Sequence, residues 1–277
     1  MIFEDLVAWF NREQQRQYGQ SVTTDSPLRT SGHEVTGVYA GLTLRSVFQP
    51  IFHSDSGLLA GHEALLRAVT AQGTPVTPAA VFTLPTSAGE VIFLDRLCRT
   101  LHALNFLLQG AEDTGFLGLN VHPRHVDAVR TDHGQAFEQV LHQCGLSPDR
   151  VVLEISSRSL QQPEHLVEAV NNYRQRGYRI ALDNIRRLPE PDQLRVLTPD
   201  LIKFDPQILE LSDAKLGLLL SASGGAGVQR VIIGGNREQA LLRGLELSQA
   251  ESLATPQRLI AVAQGRLASG GRYAART

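Results

Sequence analysis

Several short apolar runs of this chain close on a polar residue that could do chemistry. They are Glu63 with Arg67 in "GHEALLR", Asn120 in "LGLNVHP", Glu154 in "VVLEIS", Asp183 in "IALDN" and Lys203 in "LIKFD". Taken singly, each has an ordinary explanation: a solvated strand residue for Glu63, a turn former before Pro123 for Asn120, an Asx-turn or helix N-cap for Asp183. Taken together they are three carboxylates and an amide, which would repel one another at a common point unless a cation joined them. Oxygen-only donors suit Mg²⁺ or Mn²⁺. Lys203 stands out because Lys215 is the only other lysine in the chain and arginine supplies the remaining basic residues. A compact ammonium can hold a water or a phosphate oxygen as a point charge, although a lysine snorkelling from a strand would look the same. His53, His62, His122 and His125 lack a metal-ligand spacing on one helix and are expected at the surface or rim. The sequence shows no Ser-His-Asp arrangement.

The elements that must position these residues follow from periodicity. Apolar runs at "SVFQPIF", "HEALLRAV", "FLGLNVHP", "RVVLEIS", "RIALDNI", "LIKFD" and "RVIIGG" predict strands, with a weaker last one at "QAESLA". Helical patterns such as "LDRLCRTLHALNFLLQ", "PEHLVEAVNNYRQRG" and "REQALLRGLEL" separate most of them, which predicts a parallel sheet with crossover helices. Eight strands favour closure into an α/β barrel, where polar residues ending the strands share one mouth. No glycine-rich phosphate loop follows any strand.

Composition narrows the class. The chain has 277 residues, 42% hydrophobic and only 6% aromatic, so its core is expected to be aliphatic. The formal charge of −2, from 26 basic and 28 acidic residues, argues against nucleic acid or an anionic membrane as partner. Cys98 and Cys144 lie in apolar helical patterns and are expected as thiols of a reducing, cytoplasmic compartment. No run is long enough for a membrane span, and the acidic N-terminus is unlike a signal peptide. Phe3, Leu6, Val7 and Phe10 predict an amphipathic helix, and the Ser-, Thr- and Gly-rich stretch from Gln20 to about Ser46 a linker.

The run "FQPIF", "GHEALLR", "LGLNVHP", "VVLEIS", "IALDN", "LIKFD", with weaker "VIIGG" and "LSQAESLATP", resembles the EAL domains, cyclic di-GMP phosphodiesterases with a TIM-like barrel. The resemblance spans roughly 46–268 and implies a (β/α)8 barrel domain there, preceded by an N-terminal helix and linker over 1–45 and followed by a flexible tail over 269–277. It implies metal ligands at Glu63, Asn120, Glu154 and Asp183, a lysine beside the attacking water at Lys203, and a site glutamine at Gln249. It also places Gln49, Leu65, Arg67 and Asp95 among the positions that bind the dinucleotide, alongside Glu63, Asn120 and Asp183.

The departures from the family pattern concentrate on its second metal. Asn184 replaces the second of two aspartates, "NIRRLPEPD" replaces a glycine-rich loop, and Gly234, Arg237 and Ser157 stand where glutamates are expected. Positive charge from Arg186, Arg187 and Arg237 is expected nearby. One Mg²⁺ or Mn²⁺ could still be held, while a second is expected to be lost, and two-metal hydrolysis with it. The first expectation is therefore a degenerate EAL domain that binds cyclic di-GMP without hydrolysing it and signals through a protein partner. A slow one-metal phosphodiesterase yielding linear product comes second, and a nucleotide-free interaction module on the same scaffold third. Family resemblance also implies a homodimer.

Overall fold

A computed structural model describes residues 3–18, 26–109, 115–129, 134–161, 163–187, 191–223 and 227–259. The expected tail over 269–277 lies outside them. The strands are β1 (Leu28–Ser31), β2 (Glu34–Tyr39), β3 (Leu42–His53), β4 (Leu59–Val69), β5 (Pro75–Val76), β6 (Phe116–Val121), β7 (Val151–Ser156), β8 (Arg179–Ile185), β9 (Leu201–Phe204), β10 (Gln229–Ile233) and β11 (Leu247–Gln249). The helices are α1 (Phe3–Tyr18), α2 (Pro78–Val81), α3 (Ala88–Leu108), α4 (Pro123–Ala128), α5 (Gln135–Cys144), α6 (Pro163–Gln175), α7 (Pro191–Leu197), α8 (Asp213–Ala222) and α9 (Arg237–Leu242).

Eight strands close on themselves in the order β3, β4, β6, β7, β8, β9, β10, β11 and back to β3. Seven run parallel; β3 is antiparallel to both β4 and β11. The reason is chain length. Only residues 54–58 join β3 to β4, too few for a crossover, so the pair forms a hairpin with Gly57 in the left-handed region at φ +69°. The all-parallel alternation expected from sequence fails at that strand. The last strand also shifts: α9 ends at Leu242, Gly244 turns the chain at φ +72°, and β11 forms at Leu247–Gln249 rather than across "QAESLA".

The expected linker is another correction. Residues 28–31 and 34–39 are strands that pair antiparallel with each other and with β3, so the expected boundary at 45 falls inside β3. Weak periodicity hid them, because their partners come from tertiary structure. Asn105 of α3 acts as a strand neighbour: its Oδ1 accepts from Val35 N at 2.9 Å and its Nδ2 donates to Val35 O at 2.8 Å. The amphipathic α1 forms as expected, burying Leu6, Val7 and Phe10 in the core around α3.

Strand periodicity divides the barrel's side chains between two cores. Leu44, Phe48, Ala64, Leu66, Leu117, Leu119, Leu153 and Ile202 face the helices. Ile51, Phe116, Val152, Ala181, Leu201, Val231 and Leu247 face inward and plug the barrel.

The helix-facing side also buries a histidine. His102 of α3 is 5% exposed, its Nδ1 lies 2.8 Å from Ser46 Oγ, and burial lowers its pKa from 6.5 to about 4, against a smaller opposing effect of Glu63. The unfolded chain therefore takes up this proton first. Its contribution to stability is complete above about pH 6.5 and is lost as pH falls toward 4, at most about 3 kcal/mol at 1.36 kcal/mol per pH unit. Urea midpoints measured at pH 7.5 and pH 4.5 should differ less in His102→Gln than in the wild-type protein; an unchanged difference contradicts this assignment. His62 (4% exposed) and His125 (1%) are buried too, contrary to the expected surface or rim placement.

Candidate functional site

The polar site is the layer directly above the apolar plug. Two residues along from Val152 comes Glu154; from Ala181, Asp183; from Leu201, Lys203; from Leu247, Gln249; from Gly61, Glu63. On the antiparallel β3 the same step from Ile51 leads back to Gln49, which lies opposite Glu63 in the ladder. A strand turns every second side chain to the same face, so an apolar layer and a polar layer stack along the barrel axis.

Lys203 is the centre of this layer. Its Nζ donates to Glu63 Oε2 at 2.7 Å and to Glu154 Oε2 at 2.7 Å, and stands 3.8 Å from Asp183 Oδ1, beyond hydrogen-bond reach. Gln249 Nε2 donates to Glu63 Oε2 at 2.6 Å and to Gln49 Oε1 at 3.2 Å, and Asn120 Nδ2 to Glu63 Oε1 at 2.8 Å. The structure thus brings together Gln49, Glu63, Asn120, Glu154, Asp183, Lys203 and Gln249, drawn from seven strands.

Gly118 makes the arrangement possible. It sits between Glu63 and Val152 in register, and a Cβ there would stand 2.3 Å from Glu154 Oε1. A glycine inside the otherwise apolar run "FLGL" was the available sequence signal, since such a glycine often marks close approach.

Electrostatics distinguish the three acids. Burial would raise the pKa of Glu63, but Lys203 and three hydrogen bonds outweigh it and hold the carboxyl below its ordinary range. Glu154 is driven well above that range by burial and by the Glu63 and Asp183 carboxylates, with Lys203 only partly compensating. Burial likewise raises Asp183. Lys203 itself is raised, its own burial being overcome by Glu154, Glu63 and Asp183. The buried Glu63 and Glu154 and the half-buried Asp183 share one ammonium, leaving a surplus of carboxyl groups over cations.

That surplus is the test of fit for a metal. Among the described residues no three His, Cys, Asp or Glu side chains stand in ligating geometry, because the acids are gathered on Lys203 instead. The donor chemistry nevertheless suits one divalent cation. Asp183 Oδ1 is buried without a hydrogen-bond partner, and Asn120, exposed at the mouth, can turn its amide oxygen inward. Glu63, Asn120, Glu154 and Asp183 would hold such an ion, which would supply Lewis-acid polarisation of a phosphoryl oxygen.

The neighbouring position is different. Asn184 is exposed with φ +57°, and its carbonyl accepts from Ser157 Oγ at 3.3 Å. Gly234, at φ +78°, offers no side chain. The positive charge expected there is largely engaged elsewhere. Arg186 Nε donates to Asp205 Oδ2 at 2.9 Å, and Arg237 Nη2 donates to the carbonyls of Ser54 and Asp55 at 3.3 and 3.2 Å. Arg187 is exposed.

Of the remaining predicted residues, Leu65 and Arg67 continue the Glu63 face of β4 toward the mouth, and Arg67 is exposed. Asp95 does not join them. It is 1% exposed on α3, lies 2.5 Å from Arg99 Nη2 and 3.3 Å from His125 Nδ1, and accepts from His122 N at 2.9 Å. Its carboxylate is held in an internal ion pair with Arg99 and His125. The i, i+4 spacing of Asp95 and Arg99 was the signal for it. Both cysteines are free; Cys98 is buried, Cys144 half-buried.

Fold and site together define a TIM-like α/β barrel whose closed floor carries a carboxylate, amide and lysine cluster at the C-terminal strand ends. The EAL domain model matches residues 40–222, more than half of the chain, and the protein belongs to the EAL-domain family, related to the cyclic di-GMP phosphodiesterases.

A curated relative is the uncharacterised EAL-domain-containing protein YkuI of Bacillus subtilis, 28% identical over 171 residues, covering 60% of this chain and 40% of the relative. This chain therefore matches less than half of that relative's length. The YkuI structure, in complex with substrate cyclic di-GMP and calcium, superposes with a TM-score of 0.60 at 21% identity, covering 81% of this chain and 63% of the other. The EAL domain of FimX from Pseudomonas aeruginosa, bound to cyclic di-GMP, gives 0.65 at 18% identity over 78% and 91% of the two chains. BlrP1 of Klebsiella pneumoniae, in a complex with manganese and cyclic di-GMP, gives 0.62 at 19% identity over 75% and 54%. At these identities the likeness establishes the fold. Among the described residues, no helix is long and apolar enough to cross a membrane.

Proposed function

We propose that this protein is a cyclic di-GMP receptor built on an EAL barrel, holding at most one divalent cation and passing the bound state to a protein partner rather than hydrolysing the nucleotide. The observation that carries this reading is the contrast within one mouth. Six polar residues gather around Lys203, whereas the adjoining position has only the uncharged Asn184, the bare Gly234 and an arginine already paired with Asp205. Oxygen donors for one ion are present; carboxylates for a second are not. Binding needs less than turnover does, since Gln49, Asn120 and Arg67 remain available for hydrogen bonds at the mouth. The surplus of carboxyl groups over cations around Lys203 also favours a single Mg²⁺ or Mn²⁺ as a bridge to phosphate. A cytoplasmic location and a homodimer are part of the same proposal, resting on family membership.

Arg67 tests the ligand. It is exposed and outside the core, so Arg67→Ala should leave folding nearly intact while weakening cyclic di-GMP binding by roughly 1.5–3 kcal/mol, the scale of a charge-assisted hydrogen bond. Titration calorimetry at fixed salt, with thermal melts as the folding control, reads both. Equal affinities of variant and wild type would remove Arg67 from the site.

A further inference from the structure

We propose that Arg45, directly across the β3–β4 ladder from Arg67, completes a two-guanidinium clamp for a phosphate group at the rim of the barrel mouth; this deepens and rests on the nucleotide reading above. Among arginines, the sequence resemblance points to Arg67 alone. The structure places Arg45 opposite it, as Gln49 is opposite Glu63 and Val47 opposite Leu65. The alternate residues Leu44, Ser46 and Phe48 are buried, so Arg45 lies on the face that runs up from the polar floor, four residues or roughly 13 Å beyond Gln49 along the strand.

Two like charges directly opposite each other destabilise an antiparallel pair. Here they are only partly neutralised. Glu34, 8% exposed, accepts from Arg45 at 3.0 Å and from Arg258 at 3.2 Å, so one carboxylate serves two arginines. Arg67 donates to its neighbour's main-chain oxygen, Leu66 O, at 2.9 Å. Both guanidinium groups keep exposed surface, the Arg45 side chain 47%. Glu34 also fixes where Arg45 stands before any ligand arrives. Two guanidinium forks carried on facing residues of one ladder match the oxygens of a phosphate far better than a single charge does.

The test uses two probes on the full chain, cyclic di-GMP and inorganic pyrophosphate, with Arg45→Gln to remove the charge and Arg45→Lys to keep it without the fork. Melts in the absence of ligand should be alike for all three proteins. Arg45→Gln should weaken cyclic di-GMP binding about tenfold, with Arg45→Lys in between, and should abolish the rise in melting temperature that pyrophosphate gives the wild type. If wild type and Arg45→Gln bind cyclic di-GMP equally, the clamp is wrong while the nucleotide reading stands. If the wild type ignores cyclic di-GMP yet pyrophosphate stabilises it in an Arg45-dependent way, the clamp stands and the nucleotide reading falls. Indifference to both probes overturns both.

Discussion

Cyclic di-GMP incubated with the purified protein in Mg²⁺ or Mn²⁺ should remain almost entirely intact. In two-metal hydrolysis one ion helps to generate the attacking hydroxide and the pair stabilises the entering and leaving oxygens. On the receptor reading proposed above, the uncharged Asn184 and the bare Gly234 leave a second ion without carboxylate anchors. Removing a single oxyanion-stabilising donor from an enzyme costs about 10²–10³ in rate, and removing a divalent charge should cost at least that. Chromatography of the reaction mixture should therefore show turnover at least about a hundredfold below that of an EAL domain with both carboxylates in place. Asn184→Asp should raise whatever residual rate exists. Turnover equal to an intact family member would show that one metal suffices here, and the slow-phosphodiesterase reading would replace the receptor.

Replacing Lys203 should be the most destabilising single change in the site. Its ammonium is 1% exposed and is the common partner of Glu63 and Glu154, with Asp183 close by. Lys203→Met would leave these acids buried without that counter-charge, a loss on the order of 3–5 kcal/mol. In a protein of this size that lowers the melting temperature by roughly 10 °C. Mg²⁺ should then recover more stability in the variant than it adds to the wild type, because the cation takes over the role of the ammonium. A variant that melts with the wild type would mean that the acids are neutralised some other way.

Legibility from sequence followed the physics of each element. Strands that end on a polar residue announce themselves, because period-2 alternation and burial both act within the segment; Glu154, Asp183 and Lys203 were found this way. The two-layer construction of the barrel interior was implicit in the same runs. What depended on partners distant in the chain was not legible. β1 and β2 exist because β3 and Asn105 pair with them, which no local pattern records. Asp95 pairs with Arg99 within α3, but its bond from the amide of His122 and its approach to His125 depend on the packing of α3 against α4. The pairing of Arg186 with Asp205 and of Arg237 with the hairpin carbonyls was hidden for a similar reason, since these partners come within reach only after folding. Arg45 carried no signal until the β3–β4 register set it opposite Arg67.

The central claim, a nucleotide bound and not cleaved, is tested most directly by calorimetric titration of the wild-type protein with cyclic di-GMP, with and without Mg²⁺, followed by chromatography of the cell contents. The receptor reading predicts saturable binding, tightened by Mg²⁺, and a single peak of unaltered cyclic nucleotide. No heat of binding at nucleotide concentrations reaching the high micromolar range would contradict it and leave the barrel as an interaction scaffold.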